Sequence, residues 1–410
     1  MHQNKISVIA AIFIPATDAI AATKNWIRMS LCFRTVSVVL LAILPIGCNH
    51  TTTTPPGVVS ISNVEPRRDV RGGIVDAHDG CLQFFNGRYY LYGTAYGNSA
   101  EYDSTSNRYR VYSSPDQARW TYEGELFKAP PEGVYYRPYV IYNAATHKYV
   151  LWYNWYAKLW NGQTGVAISD TPVGPFTIVN PKVRLHSSSP GDGSLFEDDD
   201  GAAYFIYTAL EEAKTIRIER LTPDYLAATG DASGILAVGV ESPVLFRRHN
   251  RYYALCGPAC YAWHEGSEVQ VMIASAPLGP YRAKSEGDIN RQPRDQPLHN
   301  VDRETWAISV CSSNVADTAS QPNGDKRGVP MIIHDINAPL IPAQETWVAK
   351  IPTDGEPLFV WMADRWDSTP DGIKGHNFQY WSPPLEFSTD GDILPLEFAA
   401  KWQLPPARGK

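Results

Sequence analysis

Gln83-Phe84-Phe85-Asn86-Gly87-Arg88-Tyr89-Tyr90-Leu91-Tyr92 reads as two strands joined by a two-residue turn. Asn86 and Gly87 both tolerate positive φ, which a tight hairpin demands. The strand after the turn is aromatic, as a packed strand prefers. The strand before it begins after Asp76, Ala77, His78, Asp79 and Gly80. Three ionisable groups at the mouth of an otherwise apolar strand are unusual, because burying charge is costly.

The same plan recurs. Lys148-Tyr149-Val150-Leu151-Trp152-Tyr153, Ala203-Tyr204-Phe205-Ile206-Tyr207 and Arg251-Tyr252-Tyr253-Ala254-Leu255 repeat the aromatic strand. Their leading tyrosines follow Tyr89 at intervals of roughly 50–60 residues. A fifth unit pairs Glu345-Thr346-Trp347-Val348-Ala349 with Leu358-Phe359-Val360-Trp361-Met362. Several units add a third strand (109–114, 164–169 and 269–274) and a punctuating turn such as Thr171-Pro172-Val173-Gly174-Pro175. Repeats of about four strands each are blades of a β-propeller. The expected fold is therefore all-β, a five-bladed β-propeller over residues 67–402, with a polar insertion at 284–340. A β-sandwich does not explain whole-unit recurrence.

The chain has 410 residues, enough for one large domain. Net charge is −7 with no basic run after residue 50, which argues against nucleic acid as partner. The 23 Tyr and 12 Trp suit sugar binding better, since they offer flat apolar faces with a polar edge. The front end differs. Residues 1–28 read as an upstream extension and 29–48 as a signal peptide of lipoprotein type, with a short apolar core ending at Gly47-Cys48. Residues 49–66 read as a linker. These features imply a secreted, periplasmic or membrane-anchored lipoprotein, with a lipid anchor at Cys48. Cys81, Cys256, Cys260 and Cys311 remain for the folded domain, as a disulfide or as buried thiols.

The acids carry the chemistry. At the start of successive innermost strands stand Asp79, then Asp192 in Pro190-Gly191-Asp192-Gly193-Ser194-Leu195-Phe196, Glu241 in Val240-Glu241-Ser242-Pro243-Val244-Leu245-Phe246, and Gln344 in Ala343-Gln344-Glu345-Thr346-Trp347. The second unit has Tyr136-Arg137-Pro138 there instead. Taken as equivalent blade positions, these acids converge on one funnel. Cleavage of a glycosidic bond needs an acid for the leaving oxygen and a base for water. A third carboxylate can orient and tune the acid. The blade pattern, the Asp…Asp…Glu order and the Glu241-Ser242-Pro243-Val244-Leu245-Phe246 segment resemble glycoside hydrolase family 43 over roughly residues 70–400. Ala77-His78-Asp79-Gly80, Leu221-Thr222-Pro223-Asp224-Tyr225-Leu226, Ala343-Gln344-Glu345-Thr346-Trp347-Val348 and Asp364-Arg365-Trp366 look most like its exo-β-1,3-galactanase branch.

That resemblance implies Glu241 as general acid, Asp192 as the residue that orients it, and Asp79 as general base, with inversion of configuration. An inverting pair stands about 6.5–9.5 Å apart. The galactanase-like branch typically lacks the first-blade Asp and relies on a Gln; this chain has both Asp79 and Gln344, so Gln344 is the alternative water-positioning group. Asp76 is a second choice for the base. His78, Tyr136, Arg137, Trp155, Trp263 and Arg365 are the candidate substrate-binding residues, and Trp152, Trp160 and Trp366 are further candidates for stacking on sugar. Arabinose, xylose and galactose units of plant or algal polysaccharides, β-1,3-galactan among them, are the expected substrates. The alternative is a carbohydrate-binding propeller without turnover. No cofactor is expected and no metal site is predicted: calcium, present in some relatives, is not expected here, Asp198-Asp199-Asp200-Gly201 serves as a hairpin turn, and zinc at Cys256 and Cys260 lacks a second ligand pair. A monomer is expected.

Overall fold

The structure, a computed structural model, describes residues 58–404 apart from 99–106, 130–131, 157–161, 213, 259–268, 284–340, 342 and 367. The leader, the 284–340 insertion, Trp160, Trp263, Cys260 and Cys311 lie outside these residues.

A short strand, β1 (Val59–Ser62), precedes five antiparallel sheets. Blade one is β2 (His78–Phe85), β3 (Arg88–Ala95), β4 (Arg108–Ser114) and β5 (Thr121–Glu125). Blade two is β6 (Val134–Asn143), β7 (Lys148–Tyr156), β8 (Gly162–Ser169) and β9 (Thr177–Asn180). Blade three is β10 (Pro190–Glu197), β11 (Ala203–Ala209), β12 (Thr215–Leu221) and β13 (Ala228–Ala232). Blade four is β14 (Val240–Arg248), β15 (Arg251–Pro258), β16 (Gln270–Ala274) and β17 (Arg282–Ala283). Blade five is β18 (Gln344–Ile351), β19 (Leu358–Arg365) and β20 (Phe378–Pro384). The innermost strands β2, β6, β10, β14 and β18 neighbour one another in turn, and β18 closes on β2. This is a five-bladed β-propeller, as the repeats imply.

The ring is fastened by its two ends. β1 pairs with β21 (Lys401–Leu404), so residues 59–62, expected in the linker, are a strand. Asn63 then stitches β20 to the closing segment. Its Nδ2 donates to the carbonyls of Trp381 and Ala399, both at 2.9 Å, and its Oδ1 accepts from the Trp381 N–H. The repeated aromatics fill the space between blades, with Trp120, Trp152, Trp361 and Trp381 fully buried. Trp152 is one of them rather than a sugar platform: its indole N–H donates to Tyr225 O and its ring packs on Phe205. Cys81 and Cys256 are buried free thiols.

Every innermost strand carries a β-bulge near its start. The pairing slips after His78, Tyr136, Pro190, Glu241 and Glu345. A bulge inserts an extra residue and re-aims the side chains beside it. In blades one, two and four the first bulged residue is in the left-handed region: Asp79 at φ 60°, Arg137 at 51° and Ser242 at 57°. Outside glycine that conformation costs about 1–2 kcal/mol, and such strain gathers where geometry serves a purpose. Gly80 is obligatory here, because a Cβ would sit 1.9 Å from Tyr92 O.

Candidate active site

The bulges show that the acids do not occupy equivalent blade positions. By register, Asp79 matches Arg137 and Ser242, while Glu241 matches His78 and Tyr136. Asp192 is the second bulged residue of its strand, and Gln344 lies one residue before Glu345, the last paired residue ahead of its own strand's bulge. Sequence position relative to an apolar run cannot reveal this, because a bulge shifts register without any change in hydrophobic pattern.

Arg137 is the strut of the site. It springs from blade two and reaches three other blades. Its Nε donates to Asp192 Oδ1 at 2.9 Å, Nη2 to Ser242 Oγ at 2.6 Å, and Nη1 to Glu345 O at 3.3 Å. Ser242 Oγ donates in turn to Asp192 Oδ2 at 3.1 Å. Burial opposes the charge on Arg137, but the Asp192 carboxylate, Tyr139 and Asp79 together outweigh it and hold the guanidinium above its ordinary range. Only 3 % of Arg137 is exposed. The expectation of a sugar contact is therefore corrected: its donors are spent on the protein.

Asp79 is enclosed on the blade-one side. Its backbone N–H donates to Asp364 Oδ2 at 2.7 Å, which helps to hold the strained φ. The Tyr96 hydroxyl donates to Asp79 Oδ2. Burial pushes the Asp79 carboxyl up; Arg137 and Lys374 pull it down, Asp364 pushes it up, and the Tyr96 hydrogen bond pulls it down. Tyr96 itself is driven well above the usual phenol range, by burial first and then by Asp79, so it stays a donor.

His78 is structural, not a sugar contact. It is 1 % exposed, with Nδ1 on Asp364 Oδ1 at 2.8 Å and Nε2 toward Gly375 O at 3.4 Å and Asp76 Oδ1 at 3.8 Å. Burial alone would discharge it, but the charge and hydrogen bond of Asp364, then Asp76 and Asp79, raise it to about 9. The ring is an imidazolium at neutral pH and holds Asp364 against the Asp79 backbone. Asp76, the second choice for base, is consumed by its neighbours. It accepts from the N–H groups of Tyr96 and Gly97 and pairs with Arg110 at 3.2 Å.

On blade four, Glu241 is 8 % exposed, and Lys214 Nζ of the β11–β12 connection donates to its Oε1. The Lys214 carbonyl also accepts from Gly239 N at 3.0 Å and Val240 N at 3.3 Å, so one residue grips both the acid and its strand. Asp192 reaches this side through Ser242, next in the chain to Glu241. A row of rings, Tyr96, Tyr136 and Tyr156, joins the two sides, with centroids 6.4 and 5.5 Å apart. Tyr156 is pushed well above the usual range by burial first, then by Asp192, Tyr136 and Glu241. Tyr136, half-buried, sits in the middle of this row.

Blade five supplies Gln344, whose Oε1 accepts from Trp366 Nε1 at 2.8 Å. Its neighbour Glu345 is wholly buried. Glu345 Oε2 accepts from Trp361 Nε1 at 2.8 Å, while Oε1 has no hydrogen-bond partner among the described residues. Burial raises its carboxyl to about 8, against the pull of the Trp361 bond and Arg137.

Two further expectations change. Arg365 points away from the carboxylates. Its Nη1 donates to Asn63 O at 2.6 Å, and its guanidinium lies over Phe398 and Phe378. Successive strand residues face opposite sides, so Asp364, not Arg365, enters the site. Trp155 donates its indole N–H to Glu132 O at 3.1 Å and packs on the core. Sequence reasoning missed Tyr96, Lys214, Ser242, Asp364 and Lys374 as parts of the site. Asp364 was legible by alternation, and Ser242 stands inside the quoted Glu241-Ser242-Pro243 segment; Tyr96, Lys214 and Lys374 lie on turns or at strand ends with no pattern of their own. Among the described residues, no group of three or more His, Cys, Asp or Glu is arranged to hold a metal ion. Asp198 serves its hairpin turn, accepting at its backbone from Gly201 N and binding Arg247 and Tyr252 with its carboxylate.

Residues 75–309 match the family described as glycosyl hydrolases family 43. An arabinoxylan arabinofuranohydrolase of Bacillus subtilis (strain 168) is 26% identical over 297 residues, 60% of this chain and 56% of that protein. The arabinoxylan arabinofuranohydrolase of Paenibacillus polymyxa is 28% identical over 156 residues, 30% of this chain and 24% of its own length. The chain thus spans about half the length, or less, of these curated relatives. Among solved structures, a GH43 β-1,3-galactosidase superposes with a TM-score of 0.64 at 21% identity, covering 84% of this chain and 64% of the other. The exo-β-1,3-galactanase of Clostridium thermocellum gives 0.63 at 21% identity, with 85% and 67% covered. At such identity these structures speak to the fold.

Proposed function

The chain belongs to glycosyl hydrolase family 43, and from that premise we propose that it is an exported glycosidase that cleaves plant or algal polysaccharide side chains or ends with inversion. The observation that carries the reading is the pair of buried carboxyls, Asp79 and Glu241, each held by its own donor and joined by the Tyr96–Tyr136–Tyr156 row. Glu241 delivers a proton to the leaving oxygen. Asp79 takes the proton of the water that attacks the anomeric carbon from the opposite face. Asp192, pinned by Arg137 and Ser242, fixes the strand that presents Glu241. Tyr136, the half-buried ring in the middle of the row, offers the sugar an apolar face.

Asp79 is preferred over Gln344 as base for a structural reason. The Trp366 N–H on Gln344 Oε1 favours the amide form, whose NH₂ can only donate. Gln344 then orients the water or a sugar hydroxyl. The substrate units are arabinose, xylose or galactose, the last with β-1,3-galactan. The activities for which these relatives are named, on arabinoxylan and on β-1,3-linked galactose, support that range. Lipoprotein-type export, an oligo- or polysaccharide partner and a monomeric state complete the proposal. A panel of aryl glycosides and oligosaccharides, with product anomers followed by NMR, tests it. The expected result is cleavage with an inverted first anomer. Sugar binding without cleavage would instead support a binding propeller, and a retained anomer would overturn the mechanism.

A further inference from the structure

A loop that the reaction scheme does not use closes over the base side of the site. Residues 372–377 run Gly372-Ile373-Lys374-Gly375-His376-Asn377, with a short 3₁₀ turn at Lys374–His376. The loop seats against blade one through Gly375. A Cβ there would stand 2.5 Å from Gly97 O and 2.9 Å from Asp76 Oδ2, and Gly375 O faces His78 Nε2. This docking buries Lys374 to 5 % exposure. Its ammonium lies 3.9 Å from the centroid of Tyr96 and 4.4 Å from that of Trp366. Those two rings stand edge to face, 5.5 Å apart. They are the rings whose donors serve the two candidate water-activating groups, Tyr96 Oη on Asp79 and Trp366 Nε1 on Gln344. A buried ammonium on ring faces gains cation–π attraction, which is stronger when water is excluded. Placing a lysine there is costly unless the charge has a use.

We propose that Lys374 is a positioning residue for the base: seated on Tyr96 and Trp366, it locks the two donors that aim Asp79 and Gln344, and it supplies positive charge to the Asp79 side of the funnel. The proposal rests on the glycosidase reading for its catalytic meaning, but its electrostatic content stands by itself. Lys374 acts through the rings and through space. The other groups facing Asp79 are Arg137 from β6, Asp364 from β19, Tyr96 after β3, and His78 beside it. Arg137 is committed to Asp192 and His78 to Asp364, so Lys374 is the cation delivered by the docked loop. Its charge favours ionised Asp79, the form a base needs.

Lys374→Met keeps length and apolar contact but removes the charge; Lys374→Arg restores charge on a stackable group, and Lys374→Gln stands in if the Met variant does not fold. With Met, kcat/KM on the acid side of the optimum falls about tenfold and on the alkaline side less than about twofold, with KM steady; Arg recovers most of the loss. The second measurement needs no substrate. Carboxyl-carbon NMR of aspartate-labelled protein, with the Asp79 signal assigned by its loss in Asp79→Asn, follows Asp79 in wild type and Lys374→Met. Titration at higher pH in Lys374→Met supports the proposal, and an unchanged titration overturns it. A uniform loss of kcat/KM at every pH also overturns it, as that is the mark of a structural side chain. If the wild type cleaves no glycoside, the glycosidase reading falls, while the carboxyl titration still decides whether Lys374 governs Asp79.

Discussion

Glu345→Gln is the substitution whose effect can be worked out most fully. Glu345 has no exposure, one hydrogen bond from Trp361 and an Oε1 without a partner among the described residues. Burial lifts its carboxyl from 4.5 to about 8. A carboxyl raised in the folded state costs nothing below the unfolded value, where both states are protonated. As pH rises past 4.5 the unfolded chain releases its proton and the native state does not, so stability falls until pH passes the folded value near 8. At pH 7 the penalty is about 3 kcal/mol and at pH 5 about 1 kcal/mol, using 1.36 kcal/mol per unit. Glutamine keeps the shape and an acceptor for Trp361 but has no proton to lose. Its stability relative to wild type should therefore rise by about 2 kcal/mol between pH 5 and pH 7. Equilibrium urea unfolding of both proteins at the two pH values, followed by tryptophan fluorescence, reads this difference directly. Other titrating groups are common to both proteins and cancel. A difference that stays flat with pH would refute the claim that Glu345 is held neutral by its surroundings.

Two other perturbations have signed outcomes. His78 titrates near 9 in the fold against 6.5 unfolded, so its contribution of about 3 kcal/mol is complete below pH 6.5 and is lost as pH rises through 9. His78→Asn should accordingly destabilise strongly at pH 6 and little at pH 9.5, as thermal melts at the two pH values will show. Arg137→Met removes the strut between blades and strands Asp192, at an expected cost of about 3–5 kcal/mol, and Arg137→Lys should rescue little because an ammonium cannot fork to Asp192, Ser242 and Glu345 O together. Urea midpoints of the two variants against wild type check this.

The fold was legible because blades repeat. Aromatic strands after Asn86-Gly87, Ala145-Thr146-His147, Asp199-Asp200-Gly201 and His249-Asn250 declare one unit again and again, and each is a hairpin in the structure. The site was legible in part. Asp79, Asp192, Glu241 and Gln344 stand out because carboxylates and amides are rare at the head of apolar strands. What the residues touch was not legible. His78, expected as a sugar contact, is clamped by Asp364 from a strand almost three hundred residues later in the chain. Arg137, expected as a substrate contact, is committed to Asp192, Ser242 and Glu345 O. Arg365 failed for a local reason, since strand alternation sends it opposite to Asp364. Lys374 and Lys214 have no sequence signature, as each is brought in by a turn whose path only the fold defines.

In the proposed mechanism Asp79 activates water against a bond protonated by Glu241. The most direct measurement is kcat for Asp79→Asn and for Gln344→Ala on the best substrate from the glycoside panel. Loss of a general base costs about 10²–10⁴-fold, whereas loss of an orienting amide costs far less. A fall of that size is expected for Asp79→Asn and at most about tenfold for Gln344→Ala. Near-wild-type turnover by Asp79→Asn, with collapse in Gln344→Ala, would contradict it.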